Sequence, residues 1–155
     1  FGGNGPVVPL RLDINTQQVA GLDHYRVLAK GKGEYDLQVV KGGDYFTLYR
    51  FDNATYTDAD CELGHFYSHK HSSAVFLKNL MVTLKKKDQV IALVNAEFTT
   101  RDRQGERKVL IESPESLGNI LSSEFDIVLD AAVIEHLFIR FLAPLLAQNE
   151  TGARS

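Results

Sequence analysis

Across the first third of the chain, apolar and polar residues alternate in short runs cut by glycine turns, a period-two pattern that predicts strands. Residues 7–12 read as a short extended segment, restricted by Pro9 to an edge or a strand start because proline cannot donate to a ladder. Residues 22–30 and 34–41 flank Gly31-Lys32-Gly33, a hairpin signal, since glycine accepts the positive φ of a tight turn. A second turn at Gly42-Gly43-Asp44 leads into residues 45–51, which completes a meander. From Asp52 to about His71 the alternation lapses into polar, small and acidic residues, which predicts a crossing between elements or a domain boundary.

Alternation returns at residues 80–84, 90–95, 97–101 and 107–112, with turns at Lys87-Asp88 and Gln104-Gly105, and predicts a second antiparallel sheet. The period then lengthens. Ser113 offers an N-cap hydroxyl and Pro114 suits the first helical position, where its missing N–H costs nothing; Leu117, Ile120 and Leu121 follow at helical spacing. A second helix is predicted from about Asp130, with an apolar stripe of Ile134, Leu137, Phe138, Phe141, Leu142 and Leu145 that Pro144 should bend or end. Residues 149–155 read as a frayed tail. The fold class is α+β and mainly antiparallel β.

The chain has 155 residues and a formal net charge of −3, with Lys and Arg scattered except at Lys85-Lys86-Lys87. No broad basic face is predicted, so nucleic acid is not an expected partner. The single cysteine, Cys61, excludes an internal disulfide and suits a reducing compartment, with the cytoplasm as default. The longest apolar run, near the C-terminus, is interrupted by Glu135, His136 and Arg140, so no membrane span is expected. Phe1 is not preceded by methionine and the only methionine is Met81, which reads as a chain beginning inside a longer protein.

Four features carry possible chemistry. Phe1-Gly2-Gly3-Asn4-Gly5 could bring bare backbone N–H groups to an anion, although spacing alone favours a plain turn, since no strand and helix frame it. His65, His69 and His71 could ligate a transition metal, but the spacing matches no familiar site and solvated or structurally bonded histidines are favoured, so no metal is expected. Cys61 lies between Asp60 and Glu62, carboxylates that disfavour a thiolate nucleophile. The aromatics Tyr45, Phe46, Tyr49, Phe51, Phe66, Tyr67 and Phe76 could line a pocket for an aromatic substrate, although core packing is the commoner role.

The order of motifs says more. Phe1-Gly2-Gly3, Pro9-Leu10-Arg11-Leu12, Tyr25-Arg26-Val27-Leu28, Leu48-Tyr49-Arg50-Phe51-Asp52, Phe66-Tyr67 and Phe76 before Leu80-Met81 resemble the C-terminal half of bacterial arylamine N-acetyltransferases. Ile91-Ala92-Leu93, Glu97-Phe98-Thr99 and Glu124-Phe125-Asp126-Ile127 fall where that family has its last strands and following helix. The resemblance runs from Phe1 to about Phe138. It implies part of a β-barrel domain over residues 1–61, an α/β lid over 62–148 carrying a small antiparallel sheet and two C-terminal helices, and a tail over 149–155.

The resemblance also implies a function: transfer of an acetyl group from acetyl-coenzyme A to arylamines, arylhydroxylamines or arylhydrazines through a cysteine thioester. The family's Cys-His-Asp triad has no counterpart here, its aspartate falling just before a Val-Gly that would precede Phe1. The chain is therefore expected to be a truncated fragment that lacks an N-terminal helical domain, is inactive alone, and self-associates through exposed apolar surface. By the same resemblance Phe1, Phe66 and Phe76 are substrate-binding and Gly2 and Gly3 meet the coenzyme, with no covalently bound cofactor. His65, Ser72 and Ala74 depart from the family's usual residues in the lid segment. The alternative reading is a self-sufficient small-ligand-binding or interaction module with an aromatic-lined barrel.

Overall fold

The computed structural model describes residues 4–152, apart from the side chains at 76 and 149–152. Four strands, β1 (Gln18–Ala20), β2 (Asp23–Gly31), β3 (Glu34–Lys41) and β4 (Asp44–Asp52), form an antiparallel meander in the order β1-β2-β3-β4. The β2–β3 hairpin turns through Lys32 and Gly33 at φ 54° and 79°, the two left-handed positions of a primed turn whose twist matches the strands. Ala20, Tyr25, Val27, Leu37 and Val39 are buried on one face, joined by Leu10, Tyr35, Leu48, Tyr49 and Phe51.

Residues 7–12 are not a strand; the first strand is β1. Pro6 and Pro9 cannot donate to a ladder, and the Gln18 side chain takes the place of a strand partner. Its Oε1 accepts from the Arg11 N–H at 2.8 Å and its Nε2 donates to the Arg11 carbonyl at 2.9 Å.

The stretch read as a crossing holds a helix, α1 (Asp58–Lys70). Thr57 and Asp60 close a capping box: the Thr57 N–H donates to Asp60 Oδ2 at 2.8 Å and the Asp60 N–H to Thr57 Oγ1 at 3.4 Å. The apolar pattern gave no warning of it because no residue of α1 is buried. The division expected at Cys61 falls within this helix. One short helix, α2 (Val75–Lys78), follows.

The second sheet contains β5 (Met81–Lys85), β6 (Gln89–Val94), β7 (Glu97–Asp102) and β8 (Glu106–Leu110), in the order β5-β6-β7-β8. Its pairing aligns side chains in rows, because alternate residues face opposite sides. Val82, Leu93, Phe98 and Val109 are in register across the four strands, and Leu84 and Ile91 begin the next row. This face packs on Leu117 and Leu121 of α3 (Pro114–Phe125), on α4 (Ala131–Leu137) and on Leu142. Ser113 caps α3, its Oγ accepting from the Ser116 N–H at 3.1 Å.

Between α4 and α5 (Ala143–Gly152) the chain widens into a π-helical turn, Phe138–Leu142, where the Ala143 N–H reaches the Phe138 carbonyl. Pro144 explains its position: it cannot donate to the carbonyl four residues back, and its ring would crowd that carbonyl in a regular helix. Helix α5 continues into the stretch read as tail. Ala131–Gln148 has a mean hydropathy of 1.4 and is long and apolar enough, by length and composition, to cross a membrane. The stretch also carries Glu135, His136 and Arg140, and its Ile134, Leu137, Phe138, Phe141 and Leu146 pack on the core of the second sheet.

Candidate functional site

The opposite face of the second sheet is built from the alternate residues of the same strands. Thr83, Ala92, Thr99 and Lys108 form one row across it, and Lys85, Val90, Arg101 and Glu106 the next. The β3–β4 turn of the first sheet, at Val40, Lys41 and Gly42, stands against this face and encloses a cleft of about 630 Å³ that Asn4 and Asp23 also line. Threonine hydroxyls and Ala92 make its floor. Its charged lining is Lys41, Arg101 and Lys108 with Asp23 and Glu106; Arg101 is paired with Asp23, and Lys108 with Glu97 at 2.9 Å and Glu106 at 3.6 Å.

Asp23 holds the two sheets together. At the start of β2, it accepts from Lys85 Nζ at 3.0 Å and, through both oxygens, from Arg101 at 2.9 and 3.0 Å. The Asp23 and Lys85 side chains are almost wholly buried and Arg101 partly so. Burial alone would raise the Asp23 carboxyl, but the hydrogen bonds from Arg101 and Lys85 outweigh it and hold the group below the usual carboxylate range. The same Asp23 contact raises Arg101 above its ordinary value. Gly21 allows the approach: at φ +71° it presses against Val7 and the Lys87 carbonyl, which a Cβ would meet at 2.9 and 3.1 Å.

Tyr25, fully buried, extends the network to the N-terminal loop. Its hydroxyl lies 2.8 Å from the Asn4 carbonyl and 2.9 Å from that of Gly5, and Lys85 Nζ donates both to this hydroxyl and to the Gly5 carbonyl. Burial, then the Asp23 charge, pushes the phenol far above its ordinary value. Lys85, apparent in the sequence only as part of a basic run, is therefore a buried clamp on the loop that follows Gly3.

Of the residues singled out from sequence, Phe1, Gly2 and Gly3 lie outside the described residues, as does the Phe76 side chain. Phe66 is exposed on α1, its ring 6.3 Å from that of His69, and does not line the cleft. Cys61 is exposed on the same helix. Sequence reasoning missed Asp23, Lys85 and Arg101. The available signal was ionisable residues at strand positions whose neighbours on the same face are small or apolar, but only the assembled sheets show that they meet.

The family model described as N-acetyltransferase matches residues 1–134. The arylamine N-acetyltransferases of Mycobacterium bovis and Mycobacterium tuberculosis are each 25% identical over 127 residues, which is 82% of this chain and 44% of theirs. The chain thus spans less than half the length of these relatives. The solved structure of the Mycobacterium marinum arylamine N-acetyltransferase in complex with CoA superposes with a TM-score of 0.81 at 26% identity, covering 91% of this chain and 53% of that one. The Salmonella typhimurium enzyme has the same fold, with a TM-score of 0.83 at 22% identity.

Proposed function

The chain belongs to the N-acetyltransferase family that includes the arylamine enzymes, and we propose that its cleft is the coenzyme and acceptor pocket of an acyltransferase moving acetyl groups from acetyl-CoA to arylamines, arylhydroxylamines or arylhydrazines. One observation carries this reading: the loop following Phe1-Gly2-Gly3 is tied by Tyr25 and Lys85 to one end of a cleft with polar, partly cationic walls. Threonine hydroxyls and the Lys41 ammonium group suit the phosphates of a coenzyme, Lys108 can join them by exchanging its pairs with Glu97 and Glu106, and Asn4 lines the same cleft.

In this reading residues 1–61 supply later strands of a barrel and 62–148 a lid. Phe1 shapes the acceptor pocket, Gly2 and Gly3 let the thioester approach the backbone, and Phe66 and Phe76 contribute aromatic walls when further chain covers α1. The nucleophilic cysteine, its histidine and the orienting aspartate belong to sequence outside this chain. Cys61 takes no part. The enzyme is placed in a bacterial cytoplasm, uses acetyl-CoA as co-substrate and carries no covalently bound cofactor.

The chain alone is accordingly catalytically silent. Incubation with acetyl-CoA and an arylamine such as aniline should give no acetylation above the uncatalysed rate. Turnover would require a nucleophile within residues 1–155 and would overturn this account.

A further inference from the structure

Helix α1 changes the meaning of the histidines. In an extended crossing, His65 and His69 would be separated and unrelated; in a helix, residues four apart stack on one face about 5–6 Å apart at Cβ. Their rings here lie 4.2 Å apart between centroids, inclined by 31°. Two nitrogen ligands on one divalent ion, each about 2.0–2.1 Å from it, must stand roughly 3 Å apart, a spacing on the scale of the ring separation seen here.

A second contact fixes the chemistry of one ring. His69 Nδ1 is hydrogen-bonded to the His65 backbone carbonyl one turn earlier. A carbonyl can only accept, so Nδ1 carries the proton and the lone pair is left on Nε2, the atom at the outer end of the ring. This is the outer-shell arrangement that sets tautomer and orientation in histidine metal ligands. His71 differs: its Nδ1 is engaged with the Ser73 hydroxyl at 2.7 Å, and its ring stacks on Tyr67.

We propose that His65 and His69 form a two-imidazole chelate for a borderline transition-metal ion such as Ni²⁺ or Zn²⁺, with water in the remaining positions. Among the described residues no group of three ligands converges on one point, so the site is an open, exchangeable one rather than a closed structural centre. Its effect on the fold is to clamp the last turns of α1, a helix with no buried residue to hold it. The site is separate from the cleft and does not depend on acyl transfer.

The test is calorimetric titration of the tag-free chain with Ni²⁺, Cys61 being alkylated in every sample so that its thiol contributes nothing. One ion should bind per chain, and His65→Ala and His69→Ala should each weaken binding roughly a hundredfold, as expected when an intramolecular second ligand is lost. His71→Ala should leave it unchanged. Ni²⁺ should also slow amide hydrogen exchange across residues 65–70 in the parent chain and in neither of the first two variants. Because these side chains are exposed, the variants keep the fold. Equal weakening by His71→Ala, or no difference between the parent chain and His65→Ala, would overturn the proposal.

Discussion

Asp23 and Arg101, 78 residues apart, meet through two near-parallel hydrogen bonds of 2.9 and 3.0 Å that join the first sheet to the second. Lys85 completes the group from the neighbouring strand. Asp23→Asn should cost about 2–3 kcal/mol, less than a fully buried pair because Arg101 is partly exposed. Urea unfolding at pH 7 checks it.

The same carboxylate sets an acid limit. Its folded-state pKa is lowered, so its contribution is present above the unfolded value of about 4 and is lost as pH falls through the folded value. The stability gap between the parent chain and Asp23→Asn should therefore narrow as unfolding is followed from pH 6 down to the most acidic conditions the fold tolerates. A gap independent of pH would show that Asp23 acts by shape alone.

Tyr25 sets the alkaline limit. Its folded-state pKa is raised, so stability is full below the unfolded value of about 10 and declines as pH rises beyond it. Absorbance titration should show one phenol ionising only with unfolding. Tyr25→Phe should remove that step and cost about 1–2 kcal/mol at pH 7, because it leaves Lys85 and the Gly5 carbonyl with a partner fewer.

Two glycines with similar φ separate backbone strain from packing. Gly42, at φ +61°, has open space where a Cβ would lie, whereas Gly21, at φ +71°, has Val7 and the Lys87 carbonyl there. Gly42→Ala should cost about 1 kcal/mol from the left-handed conformation alone. Gly21→Ala should cost at least about 1 kcal/mol more, because the two sheets must part. Thermal unfolding of the pair reads the difference.

Exposed apolar side chains include Leu63 and Phe66 on α1, Val128 between α3 and α4, and Val133 and Ile139 in the C-terminal helical run. Exposed apolar surface, where it is extensive, drives association. Light scattering should show the isolated chain self-associating, and the double change Phe66→Ser with Ile139→Asp should return it toward monomer. A parent chain that remains monomeric at high concentration would contradict this.

The strands were legible because each sheet buries one face, and alternation such as Leu37-Gln38-Val39, with Leu37 and Val39 buried, records it directly. Helix α3 was legible from Ser113-Pro114 and the spacing of Leu117, Ile120 and Leu121. Helix α1 was not: it buries nothing, and its signature is the capping pair Thr57 and Asp60 rather than a stripe. Residues 7–12 looked extended, yet a side chain, Gln18, supplies the pairing that a strand would have given. The cleft was the least legible part. Asp23, Lys85 and Arg101 come together only once two separate sheets dock, and no local periodicity encodes a partner 62 or 78 residues away.

The central claim is that the cleft between the β3–β4 turn and the second sheet receives the coenzyme. Titrating the isotopically labelled chain with CoA and following backbone amide shifts tests it most directly. The account predicts saturable shifts concentrated at Asn4, Lys41, Thr83, Thr99 and Lys108, abolished by Ala92→Trp, which fills the floor of the cleft. Shifts confined to α1 or the C-terminal helices, or unaltered by Ala92→Trp, would contradict it.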